Sequence, residues 1–348
     1  MKRHLPLAVL LISLVFAVHP IGIITAPEDE RKHIINLTDT SPEESILFLG
    51  DVMLGRYVAT LIEKHGINYP FEKLRGLLSS TTHTIVNLEG PIPETYLKTP
   101  NNGYQFSFPQ SATTTLRNAN ISAVSLANNH TSDHGEEGYA HTVAILKQSG
   151  IESFGHSRMT SQTVWKKKVG GIQVVVFGIN MISPSWNEVA SFNTINRLCT
   201  THKGSYMVAF IHWGEEYRKT HTDIQETYAK KVLETCVDAI IGAHPHVTEG
   251  VALYNNKPVF YSLGNAVFDQ YFSQETERGL GVHMSFKKDE IQFELLPLIS
   301  ETSRPRISEG EEKRFLLEKI SERSEEALQE TIKQGFIRIP YPADVNKN

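Results

Sequence analysis

Six apolar runs, each short enough to be a β-strand, stop at a residue able to bind a metal cation, and no other feature of the chain restricts its fold as much. Ile46–Gly50 stops at Asp51, Thr84–Leu88 at Glu89, and Ala123–Ala127 at Asn128-Asn129-His130. Val208–Ile211 stops at His212, Ala239–Ala243 at His244-Pro245-His246, and Pro258–Gly264 at Asn265. In an open α/β sheet, ligands bind in the crevice at the carboxyl ends of the strands. Parallel strands therefore gather these side chains into one place, although more than 200 residues separate the first from the last.

Helical patterns at Phe71–Leu78, Gly138–Gln148 and Asp223–Cys236 alternate with the apolar runs, which predicts an α/β domain. Three further pairs of runs read as hairpins: 166–168 with 173–177 across Gly170-Gly171, 251–254 with 258–261 across Asn255-Asn256, and 281–286 with 291–296 across Lys288-Asp289. Hairpins need antiparallel partners, so the sheets should be mixed. Pro91–Gln110 carries prolines, asparagines and scattered aromatics without a period, and reads as a long loop that faces substrate. Glu311–Gln334 carries Leu316, Ile320, Ala327, Leu328 and Ile332 near helical spacing, which predicts a peripheral amphipathic helix within a C-terminal extension, 301–348.

Lys2 and Arg3 followed by the apolar stretch Leu5–Val18 match an export signal, and residues 1–26 are long enough for an uncleaved membrane anchor instead. The polar segment 27–45 reads as a tether, so the folded body should span 46–300 and lie outside the cytoplasm, secreted or anchored at the cell surface or in the periplasm. With 34 basic against 39 acidic residues there is no cationic excess for a nucleic-acid backbone, and nucleic acid is discounted as a partner. The two cysteines, Cys199 and Cys236, lack zinc or redox spacing and read most simply as buried thiols, with one disulfide as the alternative for an exported protein.

The ordered motifs G-D-V-M-L-G-R (Gly50–Arg56), N-L-E-G (Asn87–Gly90), A-N-N-H-T-S-D-H-G (Ala127–Gly135), H-W-G-E-E-Y (His212–Tyr217), G-A-H-P-H-V (Gly242–Val247) and Y-S-L-G-N (Tyr261–Asn265) resemble the signature series of the CapA capsule-synthesis family, also called PgsA. The resemblance runs from Ile46 to Leu298. That family is similar in turn to calcineurin-like metallophosphoesterases, which implies an α/β/β/α sandwich of two mixed sheets and a divalent-metal site for one or two ions such as Mn, Fe or Zn. Carried over by position, the resemblance implies Asp51, Glu89, Asn129, His212, His244 and His246 as metal ligands, with His130 beside them. Met53 stands where a ligating histidine would be, and its soft thioether suits a hard cation poorly. One position then keeps only Asp51, Glu89 and His246, while Glu89, Asn129, His212 and His244 hold the other; one well-held ion and a weaker neighbour are expected.

As catalytic acid, His130 would donate a proton to a leaving oxygen. Asp133 could orient it or cap the helix near Gly138, and capping is the simpler reading. Arg56 and Asn265 are candidate substrate contacts, Arg56 as a clamp on an anion. Trp213 and Tyr217 could line a pocket, though core packing is the default for both. The family resemblance implies work on poly-γ-glutamate, an anionic polymer, within a capsule-synthesis complex at the membrane. Whether the chain cuts, transfers or only guides that polymer stays open: a hydrolase of phosphoester or related bonds and a non-catalytic metal-binding protein are the alternatives.

Overall fold

The computed structural model describes residues 44–101, 103–158 and 163–341. The expected export signal or anchor and nearly all of the tether lie outside them. The first half supplies β1 (Ser45–Val52), α1 (Arg56–His65), α2 (Arg75–Ser80), β2 (His83–Leu88), α3 (Ala112–Asn118), β3 (Ile121–Ser125), α4 (Gly135–Gln148) and β4 (Glu152–Phe154). The middle supplies β5 (Val164–Val169), β6 (Ile172–Asn180), α5 (Glu188–Thr201), β7 (Tyr206–His212), α6 (Asp223–Leu233), β8 (Val237–Ala243), β9 (Val251–Tyr254) and β10 (Lys257–Phe260). The chain continues with β11 (Asn265–Val267), β12 (Arg278–Phe286), β13 (Glu290–Ser300), β14 (Pro305–Ile307), α7 (Gly310–Glu322), α8 (Gln329–Lys333) and β15 (Phe336–Pro340).

Two mixed sheets result. One has the order β14-β13-β12-β1-β2-β3-β4, with β11 beside β1 and β15 beside β13; the other has the order β5-β6-β7-β8-β10-β9. In the first, β1 through β4 are parallel and β12 joins β1 antiparallel. All three expected hairpins form, as β5–β6, β9–β10 and β12–β13. Side-chain alternation along β1 divides the layers. Ile46 and Phe48 enter a core between the sheets with Val174, Val176, Val208, Phe210 and Ile241, while Leu47 and Leu49 pack with the helical side. Phe48 meets Phe210 edge-on across the sheets at 6.3 Å. Val175, Phe177 and Ile211 face outward to Ile195, Tyr228 and Val232 of α5 and α6. The central strands β1, β7 and β8 are thus covered on both faces, which is why they read as near-continuous apolar runs. The architecture is the expected α/β/β/α sandwich.

Three local readings are corrected. Phe71–Leu78 is not one helix: a 3₁₀ turn at Tyr69–Leu74 precedes α2. Glu311–Gln334 is likewise broken, because the chain at Ser324 and Glu325 is diverted to an edge strand. The Ser324 hydroxyl accepts from the Val251 amide at 2.8 Å, the Glu325 amide donates to the Val251 carbonyl at 3.0 Å, and the Glu325 carboxylate accepts from the Leu253 amide at 2.8 Å. Covering β9 in this way satisfies groups that would otherwise template pairing with another chain, and it brings Leu317, Ile320, Leu328 and Ile332 into the central core. Cys199 and Cys236 are not free thiols but form a disulfide that joins the end of α5 to the start of β8. No helix among the described residues is long and apolar enough to cross a membrane.

The amino end of α6 is fixed by a capping box of Thr222 and Gln225, and the Gln225 side-chain amide also donates to Glu249 at 2.8 Å. Glu249 is buried, its other oxygen has no partner, and burial pushes its carboxyl up to about 8 against the pull of that hydrogen bond. The unfolded chain releases this proton near the ordinary value of 4.5, so stability from the protonated form is complete below 4.5 and is lost as pH rises through about 8. Glu249→Gln should therefore gain thermal stability over the parent at pH 9 but little at pH 5; an equal difference at both pH values would refute this account. Serine at both Cys199 and Cys236 should cost roughly 2–4 kcal/mol in urea unfolding, since the disulfide closes a long loop in the unfolded chain.

Candidate metal centre

The site lies where the two sheets meet at their carboxyl ends. Its geometry is set by 261–265, which leaves β10 in one sheet and enters β11 in the other. On the way, the Leu263 amide donates to the Gly242 carbonyl and the Asp51 amide donates to the Gly264 carbonyl, each at 3.0 Å. A Cβ at Gly50 would stand 1.9 Å from the Gly264 oxygen, and one at Gly242 would stand 1.9 Å from the Tyr261 oxygen. The glycines of two motifs are therefore required by this crossing strand, which brings the end of β1 up against the end of β8.

Around that crossing the expected ligands converge. Asp51 Oδ1 accepts from the Asn87 amide at 2.8 Å; Oδ2 accepts from the His244 backbone N–H at 3.2 Å and lies 3.2 Å from His246 Nδ1. Asn265 donates its amide to Gln270 and to the Thr276 carbonyl, so its Oδ1 faces His246 Nδ1 at 3.0 Å and directs the proton there. His246 Nε2 is thereby left toward Glu89 Oε1, at 3.6 Å. Asn265 thus sits behind His246 as its support. Asp51, Glu89 and His246 form one group whose ligand atoms lie within 4.8 Å of one another, and Glu216, His244 and His246 form a second. His212 lies beside them, its ring 4.7 Å from that of His244, with Nε2 2.8 Å from Asn129 Oδ1 and Nδ1 3.3 Å from the Asn87 amide. The fully buried carboxylate–imidazole group, Asp51, Glu89 and His246, is thus the one the sequence marks as poorer in donors. Met53 takes no part: its sulfur accepts the Gly55 amide within the helix-side core.

Glu89 is fully buried and neither of its oxygens has a hydrogen-bond partner; His244 Nδ1 is also buried and unpartnered. Burial, and then Asp51, pushes the Glu89 carboxyl well up, while His246 pulls the other way. Burial and the neighbouring imidazoles push His212 well down and His244 down to about 3. Burial lowers His246 too, but the Glu89 and Asp51 carboxylates outweigh it and raise it to about 9. Buried acceptors without donors are costly, and two carboxylates with the neutral imidazoles of His212 and His244, and with His246 once it gives up its proton, form a donor set for a divalent cation. The residues fit such an ion.

His130 is held on three sides. Its Nδ1 lies 2.9 Å from Asp133 Oδ2, its ring stacks on Phe106 at 4.0 Å, and its Nε2 points toward Glu89 Oε1 at 3.9 Å. Asp133 therefore orients His130 and does not cap α4, whose N-cap is His134. Phe106 belongs to the loop 91–110, which carries no regular element, and its amide donates to Asp133 at 2.6 Å. Arg56 is buried and paired with Asp269, between the rings of Phe106 and Phe268. That leaves its guanidinium committed within the protein. Trp213 is core, donating to the Tyr261 carbonyl, whereas Tyr217 is exposed at the mouth beside His246. Two participants were not anticipated. Asn87, an amide inside an apolar run, links Asp51, His212 and Asn128; Glu216 is one of two adjacent glutamates in a motif otherwise noted for its histidine.

The "Bacterial capsule synthesis protein PGA_cap" family matches residues 45–270. The chain is 27% identical over 257 residues to the capsule biosynthesis protein CapA of Bacillus anthracis, covering 68% of this chain and 62% of that protein. It is 27% identical over 270 residues to the PGA biosynthesis protein CapA of Bacillus subtilis, covering 73% of this chain and 71% of that one. A solved hypothetical protein from Thermus thermophilus superposes with a TM-score of 0.44 at 19% identity, over 76% of this chain and 97% of its own. The chain spans a little under two thirds of the Bacillus anthracis relative's length. Because the family match takes in every converging strand end from Asp51 to Asn265, the chain belongs to the PGA_cap family of bacterial capsule synthesis proteins.

Proposed function

We propose that this chain acts outside the cytoplasm in the synthesis or export of a poly-γ-glutamate-type capsule polymer, with one or two divalent cations held at the strand ends. Manganese, iron or zinc suits the mixed imidazole, carboxylate and amide donors. The observation that carries the reading is Glu89, wholly buried with both oxygens unpartnered and flanked by His246 and His130. Family membership supports the polymer. The apolar stretch Leu5–Val18 and the Cys199–Cys236 disulfide support an oxidising compartment outside the cytoplasm.

Within this reading the site favours hydrolysis of a phosphoester or related bond. A bound divalent ion supplies charge neutralisation for an anionic substrate group and acidity for a water molecule. The chain supplies the rest: Asp51, Glu89, His212, His244 and His246 with Asn129 hold the ion, Asn87 and Asn265 fix the ligands, and His130 delivers a proton from Nε2 with Asp133 holding Nδ1. The packing of Met53 into the core supports a second reading, in which the ion positions the polymer without cleaving it.

Elemental analysis of the purified full-length protein should find bound manganese, iron or zinc, and Glu89→Gln should remove most of it; a metal-free parent protein after exposure to these ions would reject the site. With poly-γ-glutamate and with phosphodiesters as substrates, His130→Ala should lower turnover by about 10²–10⁴-fold while metal content stays near that of the parent. An undiminished His130→Ala variant would reject its role as acid, and a metal-loaded parent without turnover on either substrate would favour the second reading.

A further inference from the structure

We infer that Glu216 is a metal ligand that, with His244, holds a second divalent cation on the solvent side of the Asp51–Glu89–His246 position. The inference rests on the metal-centre reading above and assigns a residue that the ligand series carried over from metallophosphoesterases does not contain. Three independent observations carry it. The ligand atoms of Glu216, His244 and His246 lie within 4.8 Å of one another, so small side-chain movements bring them to the separations of donors that share an ion with bonds of about 2.0–2.2 Å. His244 is 5% exposed and its Nδ1 has no hydrogen-bond partner, so a member of this group keeps a buried ring nitrogen unused. The third is the way the backbone holds the carboxylate in place.

Glu216 lies in the tight turn that follows β7, and this turn has little freedom. The Trp213 amide donates to the Ala243 carbonyl at 3.1 Å, and the Tyr217 amide donates to the Pro245 carbonyl at 2.8 Å, so bonds on both sides of Glu216 tie it to the His244-Pro245-His246 turn. Gly214 has φ +87°, and Gln225 occupies the space its Cβ would take. Tyr217, His244 and His246 all have positive φ, at 64°, 98° and 58°. Non-glycine residues hold such angles only when their surroundings over-determine them, and such strain gathers at binding sites. The two turns are thus locked together in a shape that presents Glu216 to both imidazoles.

The chemistry is complementary. Glu216 offers a hard carboxylate oxygen beside the borderline imidazole of His244, a donor pair that suits the same divalent cations as the inner position. Glu216 is exposed, whereas Asp51 and Glu89 are fully buried. The outer ion should therefore exchange with solvent faster than the inner one and meet an anionic substrate first.

Manganese(II) titration of the full-length protein, followed by calorimetry and by the EPR signal of free ion, tests this. The parent should bind two ions, and Glu216→Gln should lose one or weaken it by at least about tenfold while keeping the other. Glu215→Gln, whose side chain pairs with Arg218 at 3.2 Å, should match the parent. A Glu216→Gln isotherm identical to that of the parent overturns the assignment and leaves the metal centre standing. A parent that binds no manganese and no zinc overturns both.

Discussion

Two carboxylates with no lysine or arginine partner among the described residues, Asp51 and Glu89, are buried where the sheets meet, and the rest of the site is arranged around the cost of keeping them there. An unpaired ionised carboxylate in a protein interior is strongly unfavourable. Asp51 is offset by the Asn87 amide and the His244 backbone N–H. Glu89 is not, since both of its oxygens lack hydrogen bonds. Arg56, expected from sequence to clamp a substrate anion, is committed to Asp269 and does not neutralise Glu89. The remaining compensation is the proton of His246, which the Glu89 and Asp51 carboxylates favour and whose ring nitrogen Nε2 lies 3.6 Å from Glu89 Oε1. On the proposed reading a divalent cation takes the place of that proton, so ligand binding and the stability of this end of the fold are one equilibrium.

The crossing strand 261–265 makes that concentration of charge possible. It fills the seam between β1 and β8, lies in the space left by the missing side chains of Gly50 and Gly242, and delivers Asn265 to the back of His246. Sheet-to-sheet packing at Phe48 and Phe210 fixes the distance from one sheet to the other, and the backbone bonds of the crossing strand fix their relative height. Strain at His244 and His246, of order 1–3 kcal/mol each, is sustained because the Asp51 carboxylate and the Tyr217 amide hold the turn from opposite sides.

Much of this was legible because parallel strands buried on both faces appear as uninterrupted apolar runs whose final residue is at a predictable edge. Asp51, Glu89, His212 and the two histidines around Pro245 could therefore be placed together from order alone, as could the three hairpins from their Gly-Gly, Asn-Asn and Lys-Asp turns. What was not legible depends on contacts between segments remote in sequence. The broken helix at Ser324 follows from an edge strand that needs partners, which helical periodicity does not encode. The disulfide depends on Cα atoms 5.7 Å apart across a separation of 37 residues. Asp133 looked like a cap because its neighbours begin a helix, but its carboxylate is claimed by His130 and the Phe106 amide, the latter from the loop 91–110. Asn87 and Glu216 carry no positional signal: one is hidden in a strand, the other is one of a pair.

The loop 91–110 and the end of the crossing strand are coupled through Arg56 in a way that bears on which charges remain available to a substrate. Its guanidinium lies 4.8 Å from the Phe106 ring and 5.4 Å from that of Phe268, and these rings in turn pack on His130 and His246. Cation–π contacts of this kind are worth roughly 0.5–2 kcal/mol each, and the Asp269 carboxylate both neutralises Arg56 and accepts the Tyr57 amide. Arg56 is thus a strut that sets the positions of the two imidazoles from behind. With its charge spent there, Arg56 offers no free cation to the mouth, where Glu216 is exposed. On the proposed reading, bound cations supply the positive charge that draws in an anionic polymer, so the ions would govern affinity for such a substrate as well as any chemistry performed on it.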